Sequence, residues 1–166
     1  MAAARSCAAP WLAGKYSLRA PCGVLRLINL PVPSIPPPAC HCGHSLRYAD
    51  CCGALHSAYA AGQGLTAATP EALMRSRYCA FVLDLRDYLL ATWHPSTRPA
   101  ALERPEPGLK WLGLEVRRAD MQDADHGTVE FVARSKLGGR AHRLHEVSRF
   151  VREGGAWFYV DGDLKN

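Results

Sequence analysis

Two periods of hydrophobic spacing divide most of this chain. Over "ATPEALMRSRYCAFVLDLRDYLLATWHPS", Leu73, Met74, Tyr78, Phe81, Val82, Leu85 and Leu89 recur at steps of one, three or four. That spacing puts them on one broad face of a helix. Thr69 is placed to cap its start, Pro70 suits the first helical position, and Glu71 complements the helix dipole. Asp84 marks a break into two shorter helices, and Pro95 ends the run. After a proline-rich connection, "PSTRPAALERPEPG", the period falls to two. "KWLGLEVRR", "GTVEFVARS", "RAHRLHEVSRFVR" and "AWFYVDG" are four strands, and "KLGG" and "EGG" are short enough for hairpins. Helices followed by an antiparallel meander predict an α+β fold in which helices pack on a sheet. Trp111, Trp157 and Tyr159 read most simply as core and sheet residues. Asp161 and Asp163, flanking Gly162, are expected in a closing turn.

The first 39 residues follow neither period. They hold seven of the twelve prolines and end in "LPVPSIPPPAC". Proline fixes φ and removes a backbone donor, so "PVPSIPPP" reads as an extended, solvated spacer. The segment contains Arg5, Lys15, Arg19 and Arg26 and no acidic residue. Residues 1–39 therefore read as a disordered or spurious extension outside the fold, with an organellar leader as the other reading. Removing those four cations from the 20 basic and 15 acidic side chains leaves 16 against 15. A body this close to neutral gives no grip on a phosphate backbone, so nucleic acid is not an expected partner. No run approaches the roughly 18 apolar residues of a membrane span, and a cytoplasmic location is the expectation.

Cysteine use is uneven. "CHCGHSLRYADCCG" carries Cys40, Cys42, Cys51 and Cys52, four of the seven cysteines. Two short chelating pairs joined by a turn suit a tetrahedral Zn²⁺ closed to substrate, a structural site. Gly43 and Gly53 follow the pairs, where positive φ lets backbone amides point at thiolates. His41 and His44 are the possible substitutes for one thiolate. Disulfides are the rival: bridges within either pair would be strained, and such frameworks belong to secreted chains. Cys79, in mid-helix, reads as an inert packed thiol.

The spacing C-x-C-G-x7-C-C-G resembles the SEC-C zinc motif, whose usual opening C-P-C-G-S-G is here "CHCGHS". The resemblance places the ligands at Cys40, Cys42, Cys51 and Cys52. With "LMRSRYCAFV", "DYLLATWHPS", "WLGL", "VEFVAR", "EVSRF" and "WFYVDGD", residues 40–163 resemble the YchJ family of bacterial proteins. This implies a zinc motif at 40–56 and, at 66–163, a cone similar to nuclear transport factor 2, with helices laid across a curved sheet. The family carries no established activity.

A cone of this kind encloses a cavity, and the residues expected in it are Arg75, Arg77, Tyr78, Trp93, Glu146 and Ser148. Alternation in "LHEVSRF" sets Leu144, Glu146, Ser148 and Phe150 on one face and His145, Val147 and Arg149 on the other. A carboxylate inside an apolar pocket is unfavourable alone, so Arg75 or Arg77 is its expected partner. Two functions follow. One is a zinc-stapled binding or adaptor module, with Arg47, Tyr48, His44 and His56 offered to a protein partner. The alternative is a small-molecule enzyme of the dehydratase or isomerase type, with Glu146 and His94 as its acid–base candidates. Cones of this class also suggest a homodimer formed through the sheet.

Overall fold

The computed structural model describes residues 39–165, which lie in one compact unit; the extension expected at residues 1–39 lies almost wholly outside the described residues. A short 3₁₀ turn at Tyr48–Asp50 leads into α1, Cys52–Ala60. The long helical pattern resolves into α2, Pro70–Val82, and α3, Arg86–Ala91. Thr69 accepts from the Ala72 amide at 3.1 Å, and Pro70 opens α2. The two helices part at Asp84, whose φ of 54° is left-handed and cannot continue a helix. Helix α1 has no counterpart among the sequence expectations, because the metal motif masks its apolar spacing.

Four strands follow: β1 Lys110–Met121, β2 His126–Leu137, β3 Arg140–Glu153 and β4 Ala156–Leu164. They form one antiparallel sheet in chain order. Gly138–Gly139 and Gly154–Gly155 all have positive φ, as two-residue hairpins between right-twisted strands require. Register shifts interrupt β1 twice, between Trp111 and Gly113 and between Val116 and Arg118. Another interrupts the β3–β4 ladder at Arg149/Phe150. Each extra residue bends its strand and raises the local twist, which curves the sheet around α2. Asp161 and Asp163 do not form a closing turn: both pair in β4, opposite Arg149 and Val147. The Arg149 guanidinium contacts both carboxylates on the outer face, so their charge is absorbed within the ladder.

Helix α2 packs against β1, β2 and β4. Leu73, Met74 and Tyr78 meet Val129, Phe131, Ala133, Phe150 and Trp157 in the main core. Side chains buried as fully as Leu73, Val129 and Phe150 each contribute about 1.5–3 kcal/mol over an exposed position. A second cluster of Ala80, Tyr88 and Leu89 joins the back of α2 to α3. The chain leaving α3 is stitched to β4, with the His94 amide donating to the Tyr159 carbonyl at 2.7 Å and the Tyr159 amide to the Thr92 carbonyl at 2.9 Å. That exit holds Thr92 and Trp93 against the sheet. Among the described residues no helix is long and apolar enough to cross a membrane.

Candidate metal centre and cone cavity

The first pair of motif thiols sits on a tight turn. Ala39 bridges Arg47, the Cys40 amide donates to the Leu46 carbonyl at 2.7 Å, and the Gly43 amide returns to the Cys40 carbonyl at 3.2 Å. Gly43 has a φ of 89°, and a Cβ there would lie 3.1 Å from the Leu114 carbonyl oxygen. The turn thus needs glycine for its conformation and for its approach to β1. The second pair, Cys51 and Cys52, stands at the start of α1, where the helix dipole favours thiolates.

The sulfurs converge. Sγ of Cys40, Cys42, Cys52 and Cys79 all lie within 4.8 Å of one another, and all four residues are buried. Cys51 stands at the rim, 3.7 Å from Cys42 and 4.0 Å from Cys52, with His44 Nδ1 3.6 Å away. Four thiolates at about 2.3 Å from a tetrahedral ion stand about 3.8 Å apart, so these separations fit one Zn²⁺-sized ion. All five described cysteines are free thiols. Hydrogen bonds from Cys52 and Cys79 hold the Cys42 thiol far below its ordinary pKa, while sharing that hydrogen bond raises Cys52 and Cys79. The cluster already favours a buried negative charge at Cys42.

Cys79 is therefore not a packing thiol set apart from the motif: one turn of α2 places it 3.5 Å from Cys40. No short-range spacing could announce it, since 39 residues separate the two. His41 and His44 are exposed. His44 joins the rim beside Cys42 and Cys51.

Polar contacts fasten the motif to the cone. Arg75 donates to the Cys42 carbonyl at 2.8 Å and is held from behind by Glu71. His56 is 7% exposed, too enclosed for the partner surface expected of it. Its Nε2 lies 3.0 Å from the Ser76 carbonyl and its Nδ1 2.6 Å from the Tyr48 hydroxyl. A carbonyl only accepts, so Nε2 carries the proton and Nδ1 receives the Tyr48 O–H, which requires a neutral ring. Burial pushes the His56 pKa down accordingly. Below about pH 6.5 the unfolded chain takes up a proton that the folded ring refuses. The His56 contribution to stability is complete above that pH and is lost as pH falls from about 6.5 toward the folded value. Urea unfolding of wild type and His56→Gln at about pH 7.5 and about pH 5.5, on either side of the unfolded value, tests this. The acid-induced loss is expected to shrink in the variant. An unchanged difference would remove His56 from the account.

Between α2 and the sheet lies a cavity of about 300 Å³. Tyr78, Trp93, Trp111, Phe131 and Tyr159 supply most of its wall, with Phe81 and Leu144 partly open to solvent. Arg77, Glu146 and Ser148 bring the polar groups. Glu146 Oε1 accepts from Ser148 Oγ at 2.7 Å and from the Tyr159 hydroxyl at 3.2 Å. Oε2 has no hydrogen-bond partner among the described residues. Gly162 lies opposite Ser148 in the ladder, and a Cβ there would crowd Glu146 Oε1. Its missing side chain is what lets the carboxylate fold back onto β4.

Arg77 does not pair with Glu146 directly. Its NH1 donates to the Leu89 carbonyl at 2.8 Å and to Thr92 Oγ1 at 2.7 Å. The guanidinium carbon stands 5.1 Å from the Trp93 ring centroid and 4.7 Å from that of Tyr159. Burial lowers its pKa to about 10, so the group stays charged at neutral pH. Burial, reinforced by the Glu146 charge, raises the pKa of Tyr159 and keeps its hydroxyl a donor.

Of the six expected cavity residues, Arg77, Tyr78, Trp93, Glu146 and Ser148 line this space, and Arg75 faces the metal motif. His94 lies elsewhere, with Nδ1 2.6 Å from Ser96 Oγ and Nε2 3.2 Å from Glu153. The structure does not bring Glu146 and His94 to one site. Tyr159 and Trp111, expected only to fill the core and sheet, complete the aromatic wall.

Residues 69–162 match the family model described as YchJ, middle NTF2-like domain. A UPF0225 protein of Methylibium petroleiphilum is 61% identical over 128 residues, 77% of this chain and 90% of the relative. One from Bordetella parapertussis is 55% identical over 133 residues, covering 80% and 98%. The solution structure of a SEC-C motif-containing protein from Rhodopseudomonas palustris superposes with a TM-score of 0.65 at 34% identity, over 78% of this chain and all of the other. A crystal structure of a SEC-C motif-containing protein from Psychrobacter arcticus gives 0.63 at 29%, over 77% and 83%.

Proposed function

The chain belongs to the YchJ family, and from that premise we propose that it is a small-ligand binding protein whose cone is stapled by a structural Zn²⁺. Glu146 carries this reading. A carboxylate positioned by Ser148 and Tyr159, with its second oxygen free of partners among the described residues, faces a cavity otherwise walled by aromatic rings. Such a wall takes a flat, largely apolar molecule, and Oε2 accepts from one N–H or O–H of it. The volume is at the lower end for a small-molecule site, which suits a ligand of one or two rings.

The thiol cluster suits Zn²⁺ by donor type and spacing, and four thiolates around it leave no position for a substrate. Cys40, Cys42 and Cys52 with one further thiol would hold the ion, which supplies cross-linking rather than chemistry. A dehydratase or isomerase needs a second proton-transfer group beside Glu146, and His94 does not line the cavity. An adaptor surface on the motif loses His56 to the interior and retains His44 and Arg47.

Native mass spectrometry of freshly purified protein tests for a retained ligand, and calorimetric titration with one-ring aromatic amines tests the class. Glu146→Gln is expected to weaken binding about tenfold, or ~1.4 kcal/mol, with little change in melting temperature. Equal affinity in wild type and variant, or no binding by wild type, would end this reading.

A further inference from the structure

We propose that Cys79, carried by α2 of the cone, is the fourth thiolate of the metal site, and that Cys51 stands beside the ion as a free thiol. The inference rests on the reading of the cluster as a zinc site. Five thiols surround a position that needs four, so one must be left over. Burial separates them. Cys40, Cys42, Cys52 and Cys79 are 4%, 0%, 2% and 0% exposed, whereas Cys51 is only partly buried.

Mutual distance makes the same division. The four buried sulfurs form one set in which every pair lies within 4.8 Å, and Cys51 belongs to a second set with Cys42 and exposed His44. At 3.5 Å, the Cys40–Cys79 separation is shorter than the contact of Cys51 with either Cys42 or Cys52. A thiol buried only for its apolar character would be surrounded by carbon. Cys79 instead sets its sulfur among three others.

The consequence is mechanical. A site made by the motif alone would close a small loop on itself, but a site using Cys79 ties that loop to α2. Met74, Arg77 and Tyr78 on the same helix line the cavity, so metal loading would stiffen one wall of it.

Iodoacetamide labelling with peptide mapping tests the assignment, using zinc-loaded wild type and zinc-loaded Cys79→Ser. If Cys79 is the ligand, Cys51 is free in wild type and must be recruited in the variant. Cys51 labelling is then expected to slow about tenfold or more on the substitution, because ligation removes the nucleophile. Equally slow labelling in both proteins overturns the proposal. Should Cys79→Ser fail to fold or load, Cys51→Ala decides. Its Co²⁺ complex is expected to keep the full thiolate charge-transfer intensity and an affinity within about threefold of wild type, since all four ligands remain. Loss of about a quarter of that intensity, one thiolate in four, overturns the assignment. Wild type that takes up less than about 0.1 zinc per chain refutes the zinc reading itself, a result distinct from either labelling pattern.

Discussion

Cys42→Ala protein is expected to purify without zinc and to melt about 10 °C or more below wild type. Cys42 is the one sulfur common to both groupings of possible ligands, it is wholly buried, and its carbonyl receives Arg75. Replacing it leaves three thiolates and an opening in a site that needs four, which structural zinc does not tolerate. Metal that binds only the folded chain stabilises by mass action, so losing it removes that contribution. A cost of at least about 3 kcal/mol corresponds to about 10 °C in a domain of this size. The loss should spread beyond the motif, since Arg75 and His56 join it to α2 and the Ser76 carbonyl. Differential scanning calorimetry with metal analysis checks this, and excess chelator should reproduce the shift in wild type while leaving the variant unchanged. A variant holding one zinc per chain at the wild-type melting temperature would contradict it.

The second large effect concerns Arg77. Arg77→Ala is expected to cost about 3–5 kcal/mol in urea unfolding. Truncation strips donors from the buried Leu89 carbonyl and Thr92 hydroxyl, and takes a cation from between Trp93 and Tyr159. It also leaves a void beside a cavity that already exists, and the walls cannot close over both. Arg77→Met separates volume from charge. It refills much of the space and buries no cation, so its expected cost is nearer to about 1–2 kcal/mol. Alanine within about 1 kcal/mol of wild type would show that the guanidinium is no keystone of the α2–α3–β4 junction.

Much of the cavity is legible in the amino-acid order. Alternation by two places Glu146 and Ser148 on the face opposite Arg149, and the ladder keeps that division because adjacent strand residues point to opposite sides. The carboxylate's partners are not legible there. A charge argument sends Glu146 to Arg75 or Arg77, yet Tyr159 reaches it across β4 and Gly162 leaves the space. The register shift at Arg149/Phe150 sets where Tyr159 falls, and a one-residue bulge leaves little trace in hydrophobic spacing. His56 illustrates the reverse error. Beside a polar motif it reads as surface, but the turn of α1 carries it inward to Ser76.

What the order of residues determined by itself is whatever depends on near neighbours. Thr69-Pro70 starts a helix, Asp84 interrupts it, paired glycines turn the hairpins, and a C-x-C with a following C-C supplies thiolates within a loop's reach. Those outcomes need only local sterics, capping and periodicity. The tertiary structure alone decided what crosses the chain: Cys79 meeting Cys40 from 39 residues away, Arg77 seated between Trp93 and Tyr159, and His94 held apart from Glu146. Such meetings depend on how far β1 and β4 bulge and on the face that α2 lays against the curved sheet. Both are set by the packing of the whole core, and no short window of residues contains that information.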